Sequence, residues 1–189
     1  MIFVSIDQSF SNTGLAIYRN STPISLVSLK SPKIKGRDRL FYFYDRFREI
    51  SIYLRDQADM VLIGIEGCAY NKPFYAHDLG TLYAAITLAL RDYPIKTYPP
   101  LSHRLKALGK AKFGGTPTEK KKKIVWLVNQ KFNLELTDHN QADAVSVVQA
   151  LIRDWSCLRN DLGGKHFEFF IKGMSDRDID ILVKYLEQF

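Results

Sequence analysis

Apolar and polar positions change period several times along the chain, and each change marks an element. Residues 2–6, 14–19 and 24–29 alternate or run apolar, and Ser-Asn-Thr-Gly and Asn-Ser-Thr-Pro turn signals separate them. This pattern predicts an antiparallel meander of three strands. Leu40, Phe43, Tyr44, Phe47, Ile50 and Leu54 then recur at helical spacing. Met60 to Ile65 has the length and composition of a buried strand. Leu79, Leu82, Tyr83, Ile86 and Leu90 mark a second helix, with Ala84, Ala85 and Ala89 beside them. Ile95 to Tyr98 reads as a further strand, stopped by Pro99-Pro100.

The next helix has a clear start. Thr116 suits the N-cap, Pro117 the first helical position and Glu119 the third, which together make a capping box. Ile124, Leu127 and Val128 provide its buried side. A last core helix carries Ala144, Val147, Val148, Leu151 and Trp155 on one stripe. The order β-β-β-α-β-α-β-α-α predicts an α/β fold, a mixed five-stranded sheet with helices on its faces, as in RNase H-like proteins. The expected division is a domain over 1–155 and a helical extension over 156–189. Gly163-Gly164 is a candidate hinge in that extension, and Ser175 with Asp178 a candidate helix start. The extension's apolar stripe, Ile179, Leu182, Leu186 and Phe189, suits docking on the main domain or on a second subunit.

Composition narrows the class. The chain has 189 residues, 46% of them hydrophobic, enough for one well-packed domain. No apolar run approaches the ~20 residues that span a bilayer, and Met1 leads directly into a strand, so a cytoplasmic protein is expected. Cys68 and Cys157 are too few for a disulfide framework or a metal knuckle. The net charge of +7 is localised: nine bases and only Glu119 lie between His103 and Lys131, leaving about −1 on the rest. A basic segment with a Gly-rich loop, Gly109 to Gly115, suits a polyanion such as nucleic acid, although a lysine run is also what a solvated helix face looks like.

Three carboxylates stand at element ends. Asp7 closes the first strand, Glu66 closes Met60 to Ile65, and Asp143 lies near the start of the last core helix. Acids on rigid elements suit a hard divalent cation, and the trio suggests metal-dependent phosphodiester cleavage.

Together these residues resemble the RuvC-type Holliday-junction resolvases, particularly their phage and viral relatives. The resemblance rests on Ile6-Asp7-Gln8-Ser9 with Thr13-Gly14, Ile65-Glu66, Tyr98-Pro99 followed by Leu105-Lys106, the Gly/Ala/Lys loop into Lys120-Lys121, and Gln141-Ala142-Asp143-Ala144. They fall in family order across residues 1 to about 155. The resemblance implies a homodimeric, Mg²⁺-dependent endonuclease of four-way DNA junctions, with Mn²⁺ able to substitute. Two ions per site would be held by Asp7, Glu66 and Asp143, and the products would carry 5′-phosphate and 3′-hydroxyl ends. It also gives Lys106 and Lys121 phosphate-contacting or catalytic roles, with Lys120 an alternative to Lys121. Lys110, Lys112, Lys122 and Lys123 suit general phosphate attraction, and Ser9 and Ser11 suit hydrogen bonds to DNA phosphate. Thr13 and Gly14 suit the turn itself. His77, His103 and His166 look isolated and structural.

The chain departs from that family twice. The family usually has an Asp or His three residues before the helical Asp; here Asn140 stands there, a weaker ligand for a hard cation. His139 shares that helix face, and Asp138 suits the N-cap with Gln141 at the third position. Asn140 can also be read as a replacement for an Asp that inactivates the site. The family's Phe three residues after the catalytic Glu is Ala69 here, with Tyr70, Phe74 and Tyr75 following. Tyr70 and Phe74 suit stacking on an unpaired base or covering the core edge. Competing readings are a fork or flap nuclease, a junction-binding protein without catalysis, and a sugar-kinase-like ATPase. The last would need a second phosphate loop and a longer chain.

Overall fold

The β-branched and aromatic runs at the start of the chain pair as expected. β1 (Ile2–Asp7) and β2 (Asn12–Arg19) are antiparallel, as are β2 and β3 (Thr22–Lys30). β4 (Val61–Glu66) lies parallel to β1, and β5 (Ile95–Tyr98) parallel to β4, giving the order β3-β2-β1-β4-β5. The computed structural model describes residues 1–67, 73–99, 101–159, 165–172 and 174–186. Among them are seven helices: α1 (Gly36–Arg55), α2 (Pro73–Ala89), α3 (Ser102–Leu108), α4 (Pro117–Phe132), α5 (His139–Arg159), α6 (Lys165–Ile171) and α7 (Asp176–Leu186). The architecture is the RNase H-like α/β fold expected from the sequence.

One helix was not expected: α3 has seven residues, too short for an apolar stripe to repeat, while α6 falls in the extension expected to be helical. The capping box that opens α4 forms as predicted: the Thr116 hydroxyl accepts the Glu119 N–H, and the Glu119 carboxylate accepts the Thr116 N–H at 2.7 Å.

The sheet separates two apolar cores because successive strand residues point to opposite faces. Ile2, Val4 and Ile6 join Val61, Ile63 and Ile65 on one face, covered by Phe43, Phe47 and Leu54 of α1 and Leu82 and Ile86 of α2. Phe3, Leu62 and Tyr98 face the other way, onto Val147, Val148 and Leu151 of α5. Leu82, Ile86, Ala89 and Leu90 are fully buried, so this side of the alanine-rich helix packs within the chain.

The extension also docks on its own chain. Phe170 and Leu182 are buried in the α5-side core, with Phe170 edge-on to Trp155 at 6.1 Å. The Ile95 N–H donates to the Asp178 carboxylate at 3.2 Å. Lys96, 5% exposed, donates to the carbonyls of Phe170 and Lys172. Burial and the neighbouring Lys106 push the Lys96 ammonium down to about 8, partly offset by Asp154.

Candidate metal centre

Strand parity brings the first two acids together. Asp7 has the parity of Phe3 and Ser5, and Glu66 that of Leu62 and Gly64, so both side chains belong to the α5 face. The parallel register pairs Ile6 with Ile65, which sets Asp7 beside Glu66 at the carboxyl ends of adjacent central strands. Gln8, buried, donates its side-chain amide to the Glu66 carbonyl at 2.9 Å and ties the two strand ends together.

The third acid arrives on α5, and small residues let that helix come close. The Ser5 hydroxyl donates to the Ala144 carbonyl at 2.6 Å, across 139 residues of sequence. Gly14 pairs with Asp7 across β1 and β2, and a Cβ there would lie 2.0 Å from the Asn140 carbonyl oxygen. Gly14 is therefore a contact residue inside β2, not a turn residue as the sequence suggested. Thr13 does serve the turn, exchanging hydrogen bonds with Ser9 through its hydroxyl at 2.6 and 3.2 Å. Gly64 plays a similar part deeper in the sheet, where a Cβ would approach Val147 to 3.1 Å.

The charges in this cluster act on one another. Burial, then the Asp143 and Glu66 charges and a hydrogen bond with Glu66, push the Asp7 carboxyl well above the usual carboxylate range, against the pull of Arg104. Burial also pushes Glu66 up, but His103, Asp7 and Arg104 outweigh it and hold Glu66 below its ordinary value. Asp143, 4% exposed, is clasped by Arg104 in a two-point ion pair, Nε to Oδ1 and Nη2 to Oδ2, each 2.7 Å. Burial alone would lower Arg104; its bond to Asp143, with Glu66 and Asp7 nearby, raises it instead.

In this arrangement no three His, Cys, Asp or Glu side chains among the described residues stand close enough to hold a metal ion. Arg104 supplies the positive charge, and both Asp143 oxygens are committed to it. The donor chemistry nevertheless suits a hard divalent cation. Three carboxylates come from three elements, the Asp143 and Glu66 charges oppose ionisation of Asp7, and a cation among them would relieve that repulsion.

Beside these acids, Asp138 caps α5. One carboxylate oxygen accepts the Asn140 backbone N–H at 2.9 Å and its side-chain amide at 3.0 Å; the other accepts Asn12 at 2.8 Å and Ser28 at 2.6 Å. Gln141 reaches the Leu26 carbonyl at 3.4 Å, so the predicted box with Asp138 does not form. Asn140 is buried next to Asp143 with its NH₂ turned to Asp138. His139 is more exposed, 3.5 Å from Asp138, and burial with Lys121 nearby lowers its imidazole.

Two residues that sequence reasoning passed over belong to the cluster. His103 is fully buried, with Nε2 3.4 Å from the Glu66 carboxylate, so the expectation that it is isolated is corrected. Neither of its ring nitrogens has a hydrogen-bond partner of good geometry among the described residues. In the sequence Arg104 stands out only as part of the basic segment. Both sit on α3, which starts after Leu101 at φ 73°, a left-handed value that a Leu rarely adopts. That kink aims the helix so that His103 and Arg104 meet acids on two different elements.

The lysines separate. Lys106 Nζ bonds both oxygens of Asp154 at 2.6 and 2.8 Å, and Tyr98 donates to the same carboxylate at 3.0 Å. Asp154 is eleven residues beyond Asp143 on α5, about 16 Å along the axis. Lys106, for which the resemblance implied a phosphate-contacting or catalytic role, thus bonds Asp154 in this structure. Lys112 and Lys120 line a groove of about 290 Å³ that includes Arg104. Lys121 and Lys122 face a different groove with His139, while Lys123 binds the Gly114 carbonyl at 2.9 Å. Lys110 lies over the Phe113 ring. Ser9 and Ser11 share a hydroxyl contact of 3.1 Å in the turn after Asp7. Tyr70 falls outside the described residues, and Phe74 lies in the first turn of α2, where side chains are not described.

No family model matches the sequence, and no curated protein matches it. The structure does have relatives. Thermus thermophilus RuvC aligns with a TM-score of 0.64 over 83% of this chain and 97% of that one, at 16% identity. The fold is that of RuvC. The T. thermophilus RuvC structure in complex with a Holliday junction substrate aligns at 0.59, over 79% of this chain and 92% of that one, at 18% identity. No described helix is long and apolar enough to cross a membrane.

Proposed function

We propose that this chain is a divalent-metal-dependent endonuclease that resolves four-way DNA junctions. One observation carries the reading: strand parity and the contact at Gly14 gather Asp7, Glu66 and Asp143, from three elements of a RuvC fold, beside a basic segment. Asp7, Glu66 and Asp143 would hold Mg²⁺ or Mn²⁺, with Asn140 and His139 at the margin of the set. Such ions supply charge for an attacking water and a leaving oxygen in phosphodiester hydrolysis. The chain's own groups do the rest. Glu66, kept ionised by His103 and Arg104, remains a ligand at neutral pH. Arg104, Lys112 and Lys120 line one groove and attract the phosphate backbone there. A junction has two-fold symmetry, so paired nicks call for a homodimer that presents two such sites together. Products with 5′-phosphate and 3′-hydroxyl ends, a phage or viral origin and a cytoplasmic setting complete the proposal.

A second reading has a specific support. Asp143 is committed to Arg104, and Asn140 replaces an acid and turns its NH₂ to Asp138, which suits a protein that binds junctions without cutting them. The test is incubation of a synthetic four-way junction with Mg²⁺ or Mn²⁺, with linear duplex, fork and flap controls, for this protein and Asn140→Asp side by side. Paired symmetric nicks by either protein are expected, and cleavage confined to Asn140→Asp would mark Asn140 as an inactivating residue. Preference for forks or flaps would broaden the substrate. Tight binding without cleavage by either would leave the binding protein.

A further inference from the structure

The four-lysine run of α4 is divided by the helix, and the outward division carries an aromatic residue that nothing above explains. Thr118, Lys121, Lys122, Val125, Trp126 and Asn129 recur at intervals of three and four, so they form one face. The buried residues Ile124 and Val128 lie on another. With Thr137 and His139, that first face lines an open groove of about 380 Å³. Trp126 is 63% exposed there, a large apolar side chain left in water beside two ammonium groups. The floor is rigid: Asn129 accepts the Leu136 N–H at 2.9 Å and donates to its carbonyl at 2.8 Å, pinning the loop before α5.

We propose that this groove binds an unpaired nucleotide of single-stranded DNA, its base stacked on Trp126 and its phosphates held by Lys121 and Lys122. The inference rests on the nucleic-acid reading above and adds a strand path to it. An indole face can stack only on a base whose own face is free, which a duplex does not offer. Lys121 and Lys122 favour an anion and oppose a second copy, whose identical face would bring like charges together. His139, which lines the groove, lies four residues before Asp143 on α5, about one helical turn away. A strand lying in the groove therefore passes close to the α5 end that carries that carboxylate.

Trp126 provides its own reporter, because the chain's other tryptophan, Trp155, is 6% exposed. Titration of the full-length protein with oligothymidylate should quench the exposed indole's emission, and duplex of equal length should quench it far less. By anisotropy of a labelled oligothymidylate, Trp126→Ala should weaken binding about 5- to 150-fold, the range of one base stack. Lys121→Gln with Lys122→Gln should reduce the salt dependence of single-strand binding by about 1.4 in log–log slope. Because these side chains are exposed, unchanged thermal melting would certify the fold. Oligothymidylate binding that is indifferent to Trp126→Ala overturns the inference, even if junctions are cleaved. Binding that depends on Trp126 upholds it, even if no junction is ever cleaved. Quenching that rises with protein concentration alone would assign the face to self-association and overturn it.

Discussion

The two faces of the central sheet are built from the same strands and serve opposite ends. On the α1 and α2 side, every inward strand residue of β1 and β4 is Ile or Val, and the helices answer with Phe43, Phe47, Leu82 and Ile86, all fully buried. On the α5 side the same strands offer Phe3, Ser5 and Asp7, then Leu62, Gly64 and Glu66. Toward the strand ends that face exchanges apolar packing for a hydroxyl, a gap and two carboxylates. The first face stabilises the molecule by burial, about 1.5–3 kcal/mol for each large apolar side chain. The second gives up part of that stabilisation to bring like charges together, as the raised Asp7 carboxyl records. The contrast teaches that the α1/α2 face holds the sheet in shape, so the other face can keep an arrangement unfavourable in itself.

Breaking the charged face should give the largest effect on function. Asp7→Asn should lower the proposed metal-dependent junction cleavage by about three orders of magnitude, corresponding to several kcal/mol of lost transition-state stabilisation. The same variant should raise the melting temperature of the metal-free protein at pH 7. The folded state raises the Asp7 carboxyl, so its contribution to stability is present below the ordinary carboxylate value and lost as pH rises through the shifted one. At pH 7 the folded state carries that cost, which Asn does not. A calorimetric scan showing Asp7→Asn less stable than wild type would contradict this picture of the cluster.

The apolar face should respond in the opposite sense. Phe43→Ala should cost about 3–5 kcal/mol in denaturant melts, yet leave Mn²⁺ affinity at 25 °C nearly unchanged while the protein remains folded. Gly14→Ala tests the seam between the faces. Its methyl would meet the Asn140 carbonyl, so a cost of about 1–3 kcal/mol should come with weakened Mn²⁺ binding by isothermal titration, because α5 must back away from β2. Loss of stability without loss of metal affinity in Gly14→Ala would uncouple the helix position from the site.

Lys96 probes the α5 face away from the acids. Its ammonium is lowered to about 8 from 10.5, so the unfolded chain binds more protons between those values and stability is gained as pH rises through that window. The difference in unfolding free energy between wild type and Lys96→Met should shift in favour of wild type by about 1–3 kcal/mol from pH 8 to 10.5. A flat difference would mean that the ammonium is not held under desolvation beneath α6. The smallest effect is expected at Arg104, where Arg104→Gln frees Asp143 and should tighten Mn²⁺ binding about tenfold, or roughly 1.4 kcal/mol, by titration calorimetry.

Most of the sheet and its long helices were legible because burial imposes a period: Ile2, Val4 and Ile6 alternate, and Phe43, Phe47 and Leu54 recur on a helical stripe. The Thr116 box was legible because a cap is a local hydrogen-bond pattern. Asp7, Glu66 and Asp143 were legible as acids at element ends. His103 and Arg104 were not, since α3 is seven residues long and a histidine beside an arginine has no signature until a fold turns both toward carboxylates. The Lys106 bond to Asp154 was not legible either: the resemblance implied a phosphate-contacting or catalytic role, and a partner 48 residues away leaves no local pattern. Trp126 looked unremarkable in sequence, because exposure depends on which helix face the rest of the chain leaves open.

The sequence by itself determined the five strands, the long helices and their order, because these follow from local period and capping. Only the tertiary structure decided that α5 would cross β2 at Gly14 close enough to bring Asp143 to Asp7 and Glu66, and that Arg104 would clasp it. It also decided that the lysine run would divide between two grooves and that the C-terminal helices would dock on their own chain. Those outcomes depend on contacts between residues tens to more than a hundred positions apart. Such contacts are set by packing and mutual charge, and leave no repeat in the chain to be read.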